Sequence, residues 1–109
     1  MDKNGYNESL LTGWNKECFI TGITCDNLVR HEIFYGTANR PLSKKYGLWI
    51  YLTPELHTTT KNGIHSNKEL DLLCKKAGQN AFEENHTREE FLKIFGRNYL
   101  WELIDKLKQ

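Results

Sequence analysis

The stretch Gly47-Leu48-Trp49-Ile50-Tyr51-Leu52-Thr53-Pro54 decides the fold of this chain. Five aliphatic and aromatic residues in a row, bounded by a glycine and by Thr-Pro, predict a strand over residues 47–52. Thr53 is a suitable N-cap and proline fits the first position of a helix, so we expect a short helix from Pro54 to about Thr59 that carries His57. The stretch therefore predicts a strand that runs directly into a short helix.

The sequence before this stretch predicts further short strands. Glu17–Ile20 has the composition of a strand and precedes a turn, and Leu28–Phe34 is rich in β-branched and aromatic residues. Residues 35–45 contain Gly, Asn, Pro and Ser without periodicity, so they are predicted to be a loop. Residues 1–15 are predominantly polar, and we expect them to form a loose N-terminal arm.

The sequence after residue 63 has helical patterns. Ser66 and Glu69 have the spacing of a capping box, which predicts a helix from there to about Glu84. The apolar residues of this helix recur at helical spacing; they are Leu70, Leu73, Ala77 and Ala81.

A second helix is predicted to begin at Thr87, which forms a capping box with Glu90, and to stop at Gly96. Residues 99–106 predict a last amphipathic turn or two. Strands in the first half and helices in the second are typical of an α+β fold, in contrast to the alternation of an α/β fold. At this length we expect a single domain over residues 16–109.

Composition excludes several classes of protein. The chain has 109 residues, of which 39% are hydrophobic and 27% charged, so it is not disordered throughout. A net charge of +1 argues against binding nucleic acid through bulk charge alone. Three cysteines cannot form a complete disulfide framework, no apolar run approaches the roughly 18 residues of a membrane span, and the polar start lacks a signal-peptide core. We therefore expect a cytoplasmic protein that does not enter membranes.

Three of the four histidines fall in one segment of the chain, where they are candidate ligands of a metal ion. His31 and Glu32 end a predicted strand, His57 lies on the predicted short helix, and His65 lies in the sequence after it. Adjacent strand residues point to opposite faces, so His31 and Glu32 can serve one site only at a strand end or bulge. Imidazole and carboxylate suit a divalent cation, and either can act as a general base. Taken singly, each of these residues could equally be a surface residue without a role.

Other polar residues offer weaker signals. Arg40, Lys44 and Lys45 lie in a segment without acidic residues and are the best candidates for phosphate contacts, although a solvated loop has the same composition. Cys18 and Cys25 together with histidines could hold a structural zinc ion, but they lack the regular ligand spacing of such sites. Cys74 and His86 are interpreted as a core residue and a solvated linker residue.

The ordered succession of motifs resembles small phage-encoded HNH-type proteins. The motifs are Cys18-Phe-Ile-Thr-Gly, Arg30-His-Glu-Ile-Phe-Tyr-Gly-Thr-Ala-Asn-Arg, Ser43-Lys-Lys-Tyr-Gly-Leu-Trp-Ile-Tyr-Leu, His57, Gly63-Ile-His, Gln79-Asn-Ala-Phe-Glu-Glu and Phe91-Leu-Lys-Ile-Phe-Gly-Arg-Asn-Tyr. The resemblance covers residues 17 to 100. It implies a ββα-metal finger, which is a short β-hairpin and a helix around one cation, over about residues 28–66, followed by C-terminal helices over about 67–106.

The resemblance also implies a function, which is metal-dependent hydrolysis of phosphodiester bonds in duplex DNA inside a bacterial host. Carried over by position, His31 and His57 are metal ligands, His65 is a third ligand or a phosphate contact, and Glu32 stands where such proteins usually have the histidine that activates water. The implied cofactor is a divalent metal, Mg²⁺ or Mn²⁺, with Zn²⁺ or Ni²⁺ as alternatives. A homodimer is compatible with the resemblance.

The chain departs from the HNH pattern at several positions. The base histidine is replaced by Glu32, no asparagine occupies the central position, and of the zinc-knuckle cysteines only Cys18 is present. These departures keep two alternatives open. The first is an HNH-like scaffold without turnover that binds DNA or a host or phage protein, and the second is a small domain stabilised by structural zinc.

Overall fold

The protein is described by a computed structural model over residues 1–57 and 63–100, within which it has an α+β fold. The described elements follow one another along the chain as β1 (Val29–Glu32), α1 (Asn39–Lys45), β2 (Trp49–Leu52), α2 (Pro54–His57), a 3₁₀ turn (Ile64–Ser66), α3 (Lys68–Glu83) and α4 (Arg88–Phe95). The two strands and the start of the short helix are where the sequence predicts them, with strand ends shifted by one or two residues. The α+β prediction is confirmed.

The two strands form an antiparallel sheet whose faces are covered by different parts of the chain. His31 pairs with Ile50, and Glu32 pairs with Trp49. Because side chains alternate along a strand, His31 lies on the same face as Ile50, and Glu32 lies on the opposite face with Trp49. Ile33 continues the His31 face and packs against Gly78 of α3.

The first residues of the chain pack against β2, so the prediction of a loose arm over residues 1–15 is wrong. The Leu10 N–H donates to the Gly47 carbonyl at 2.8 Å, the Ser9 hydroxyl donates to the Trp49 carbonyl at 2.7 Å, and the Trp49 indole donates to the Asn7 carbonyl at 2.7 Å. These bonds join residues about 40 positions apart, which is why local composition gives no sign of them. Residues 1–14 are hereafter called the N-terminal segment.

Two further predictions before β2 are corrected. Residues 17–20 contain a bend and the start of a turn and form no strand, although the Phe19 N–H still donates to the Tyr51 carbonyl at 2.9 Å. The predicted loop over residues 35–45 contains α1. Its proline, Pro41, lies in the first helical turn, where a backbone N–H has no partner within the helix, so proline is tolerated there.

The long helix α3 differs from its prediction in its start and in its buried face. Its N-cap is Asn67, whose side chain accepts a hydrogen bond from the Leu70 N–H at 3.1 Å, so the capping box predicted at Ser66 and Glu69 is wrong. The buried face contains Gly78, not Leu73, which is 57% exposed; its other buried residues are Cys74, Gln79 and Phe82. Glycine lets the helix approach Ile33 and Phe34 closely.

The last helix, α4, is as predicted. Thr87 and Glu90 form the capping box, and Gly96 ends the helix in the left-handed conformation with φ of 79°. Its buried side chains, Phe91 and Phe95, pack on Phe34 with ring centroids 5.2 and 4.7 Å away. The prediction for residues 99–106 lies mainly outside the described residues. Among the described helices, none has the length and apolar character needed to cross a membrane.

Candidate metal centre

Three histidines converge from three different elements. His31 lies in β1, His57 ends α2, and His65 lies in the 3₁₀ turn. The Thr53 carbonyl accepts hydrogen bonds from the N–H groups of Leu56 and His57, both at 3.1 Å, so the short helix begins directly after β2 and returns His57 toward β1. Buried Ile64 anchors the 3₁₀ turn in the core beside His65.

The three imidazole rings form a nearly symmetric tripod, which is the name used below for His31, His57 and His65. The ring centroids are 5.4, 5.3 and 5.4 Å apart, and the interplanar angles are 70°, 73° and 73°. One ring nitrogen from each residue lies within 4.8 Å of those of the other two. Nitrogens that bind one tetrahedral ion at 2.0–2.1 Å are roughly 3.4 Å apart, so an ion requires each ring to move inward by less than about 1 Å.

The protonation states of His31 and His57 favour binding of a metal ion over binding of protons. Burial, followed by the proximity of His57 and His65, lowers the pKa of His31 to about 3. Burial and the neighbouring His65 also lower the pKa of His57. Metal ions bind the neutral imidazole. At neutral pH these two rings are therefore in the form that a cation needs.

One atom of the tripod lacks a partner within the described part of the chain. His31 is 1% exposed, and its Nε2 is buried without a hydrogen bond. Burying a polar nitrogen in this way is unfavourable unless something else satisfies it, and unsatisfied groups of this kind often mark functional sites. A bound cation would supply the missing interaction, so the residues fit a metal ion.

The tripod opens into a cleft of about 250 Å³ that brings further polar side chains to the same place. Besides the three histidines, the cleft is lined by Tyr6, Arg30, Glu32, Tyr35 and Arg40. Glu32 reaches the cleft because β1 ends at this residue, which is the condition under which two adjacent strand residues can share one site. All three histidines and Glu32, predicted as site residues, are thus brought together.

Of the three predicted phosphate contacts, the structure places one in the cleft and two outside it. Arg40, exposed in the first turn of α1, lines the cleft. Lys44 and Lys45 do not line it: the Lys44 ammonium lies 4.8 Å from the Tyr6 ring centroid, and that of Lys45 lies 5.4 Å from the Tyr46 ring centroid. Of Arg40, Lys44 and Lys45, Arg40 alone therefore faces the site directly.

Three cleft residues, Tyr6, Tyr35 and Arg30, were not predicted as site residues from the sequence. Arg30 precedes His31 on β1, and its guanidinium forms a salt bridge with Asp2. Tyr35 lies three residues beyond the end of β1, a position that gives a weak sequence signal. Tyr6 lies 26 residues from Glu32 in the sequence, so no local pattern could have identified it.

Tyr35 connects the tripod to a charged pair on α3. Its ring centroid lies 5.0 Å from that of His65, and the Lys75 ammonium lies 4.4 Å from the Tyr35 ring centroid. Lys75 in turn forms a salt bridge with Asp71 at 2.9 Å. Burial and the Asp71 carboxylate raise the pKa of the Tyr35 hydroxyl.

The cysteines do not form the structural zinc site considered above. The tripod is the cluster of three potential ligands found within residues 1–57 and 63–100, and Cys18 and Cys25 are not part of it. All three cysteines are free, and Cys18 and Cys74 are 1% exposed core residues. The interpretation of Cys74 as core is confirmed.

No model of a known protein family, no curated protein and no solved structure matches this chain. What the site can do therefore follows from its own side chains. A tripod of imidazoles, open to a cleft that also contains a carboxylate and an arginine, can hold a divalent cation and present it to an anionic substrate.

Proposed function

We propose that this chain is a metal-dependent endonuclease that hydrolyses phosphodiester bonds in DNA. The observation that supports the proposal is the tripod, in a cleft shared with Glu32 and Arg40. Three protein ligands with an open position are typical of catalytic metal sites, whereas structural zinc sites use four. The arrangement therefore favours a catalytic ion over a structural one.

The order of elements around the tripod supports the ββα-metal finger implied by the resemblance. Two antiparallel strands are followed directly by a short helix, with one histidine on β1 and another at the end of α2. The strands are joined by a segment that contains α1 in place of a tight hairpin turn. This insertion is also the segment that brings Arg40 to the cleft.

The donor set shifts the expected metal from Mg²⁺ or Mn²⁺ toward Zn²⁺ or Ni²⁺. Imidazole nitrogens suit Zn²⁺ and Ni²⁺, whereas Mg²⁺ and Mn²⁺ favour carboxylate, carbonyl and water oxygens. The tripod offers nitrogen only, and Glu32 is the cleft's carboxylate. We therefore propose that the metal-free protein binds Zn²⁺ or Ni²⁺ more tightly than Mg²⁺ or Mn²⁺.

In the proposed mechanism the side chains divide the work between binding and proton transfer. When bound, the cation would lower the pKa of a water molecule and polarise a phosphoryl oxygen. His31, buried in the core, acts as a ligand. Glu32 orients the attacking water and accepts its proton, and Arg40 neutralises the charge on the scissile phosphate.

The binding module without turnover is the second candidate, and one contact favours it. Arg30 is already paired with Asp2, so the cleft offers fewer free charged groups for catalysis than its lining suggests. In this case the tripod would serve to fix the fold of a surface that binds DNA or a protein.

The decisive experiment is cleavage of supercoiled plasmid by the metal-free protein after addition of Zn²⁺, Ni²⁺, Mn²⁺ or Mg²⁺, with EDTA as the blank. We expect nicking that requires metal and is abolished in His31→Ala and His57→Ala. His86→Ala is the matched control because His86 contacts Glu90 and Phe82, away from the tripod, and it should nick at the wild-type rate. Absence of nicking by folded wild-type protein with every metal would refute the nuclease and favour the binding module.

A further inference from the structure

We infer that Tyr6 is a positioning residue that holds the Glu32 carboxylate in the cleft, so that the N-terminal segment completes the active site. The inference rests on the proposed function, since it gives Glu32 a partner that sets its orientation. Its basis is one hydrogen bond, in which the Tyr6 hydroxyl donates to Glu32 Oε2 at 3.1 Å. Both side chains line the same cleft as His57.

Glu32 needs such a partner because of its place on the strand. Its side chain leaves β1 on the face opposite His31, next to Trp49, and must turn at the strand end to face the tripod. A glutamate has several freely rotating bonds, and catalytic groups act efficiently only when they are held close to the productive geometry. The bond from Tyr6 uses one carboxylate oxygen, and a carboxylate can accept hydrogen bonds at both.

Tyr6 is itself held from several sides, which makes it a suitable anchor. Its ring packs edge-on against Trp49 with centroids 5.3 Å apart, and it is 8% exposed. The Arg30 guanidinium lies 4.5 Å from the ring centroid and the Lys44 ammonium 4.8 Å from it. The backbone is fixed as well, because the Tyr6 N–H donates to the Asp2 carboxylate at 3.0 Å.

This arrangement also gives Lys44 a role different from the predicted phosphate contact. Its ammonium stabilises the Tyr6 ring through a cation–π interaction and donates to the Asn4 carbonyl at 3.4 Å. Arg30, on β1, also contacts the Tyr6 ring through its guanidinium and forms a salt bridge with Asp2. Lys44, Arg30 and Asp2 thus stabilise the position of the N-terminal segment, which carries Tyr6.

The test is a double-mutant cycle on the metal-loaded protein, measured as the kcat and KM of plasmid nicking. Tyr6→Phe removes the hydroxyl and keeps the ring, and Glu32→Ala removes its acceptor. We expect Tyr6→Phe to lower kcat roughly 10- to 100-fold with KM and Zn²⁺ affinity unchanged, as is typical when a supporting partner of an active-site group is lost. Combined with Glu32→Ala, it should cause no further loss, because it acts through that carboxylate.

The control is Tyr51→Phe, which removes a hydroxyl on the same face of the sheet that contacts Arg30 instead of Glu32, and which should keep the wild-type kcat. If Tyr6 had a merely structural role, the decrease in kcat caused by Tyr6→Phe would add to the decrease caused by Glu32→Ala in the double variant. Additive losses, or no loss in Tyr6→Phe, would overturn the inference while nicking by the wild type leaves the proposed function standing. If the wild type does not cleave, the proposed function and this inference both fail.

Discussion

Replacing Gly47 with alanine would test how firmly the N-terminal segment is attached to β2. Gly47 has φ of +70°, a conformation that residues with a side chain rarely adopt. A Cβ at this position would lie 2.2 Å from the Glu8 carbonyl oxygen and 3.3 Å from the Leu10 nitrogen. Both neighbours are backbone atoms, so the contact can be relieved only if the segment moves away from the sheet.

The expected loss of stability follows from these contacts. The left-handed conformation costs about 1–2 kcal/mol for a residue other than glycine. Moving the segment would also break the bonds from Leu10 to Gly47 and from Ser9 to Trp49, each contributing about 1 kcal/mol. The Gly47→Ala variant should therefore lose about 3–4 kcal/mol of unfolding free energy.

Gly22→Ala is the matched control for this variant. Gly22 has φ of +75°, almost the same as Gly47, but a Cβ added to Gly22 would meet no other atom within 4 Å. Only the conformational cost of about 1–2 kcal/mol should then appear. Urea denaturation followed by tryptophan fluorescence measures both variants. Equal losses in the two would refute the claim that the segment presses on Gly47.

Two further predictions concern stability. In the presence of a chelator, the free energy of unfolding should fall as the pH is lowered from 6.5 toward 3. The pKa of His31 is about 3 in the folded state and near 6.5 in the unfolded state. The unfolded state therefore binds more protons in this range, and lowering the pH favours it. The loss attributable to His31 is up to roughly 4–5 kcal/mol, and urea titrations at several pH values should show a smaller slope in a folded His31→Leu variant. Thr87→Ala should cost about 1 kcal/mol because it removes the capping box of α4, and an unchanged midpoint of thermal unfolding would contradict this.

The parts of the fold that the sequence predicts are those set by neighbouring residues. The run before Thr53-Pro54 specifies β2 and the start of α2, and Thr87 with Glu90 specifies α4, because strand composition and capping act over a few positions. Helix α1 was not predicted because Asn, Pro and Ser are typical of loops, although a proline in the first turn does not prevent a helix.

The features that could not be predicted from the sequence are set by packing between residues far apart in the chain. The N-terminal segment is held by hydrogen bonds to β2, and the buried face of α3 is set by the close approach of Gly78 to Ile33. The same division holds for the candidate site. The three histidines are predicted as ligands from their residue type, from their positions on neighbouring elements of one segment and from the HNH resemblance, whereas Tyr6 reaches the cleft only through the tertiary fold.

The hydrogen bonds on the outer edge of β2 have a consequence for how copies of this protein behave toward one another. Residues 47, 49 and 51 direct their carbonyls away from β1, and each accepts a bond from Leu10, Ser9 or Phe19. The strand itself, Trp49–Leu52, is uncharged and of high β-propensity, which is the composition of segments that aggregate when their edges are open. Residues within the first 20 of the chain therefore occupy the edge of β2 and prevent it from pairing with a strand of another molecule. A variant that loses these contacts should self-associate through β2.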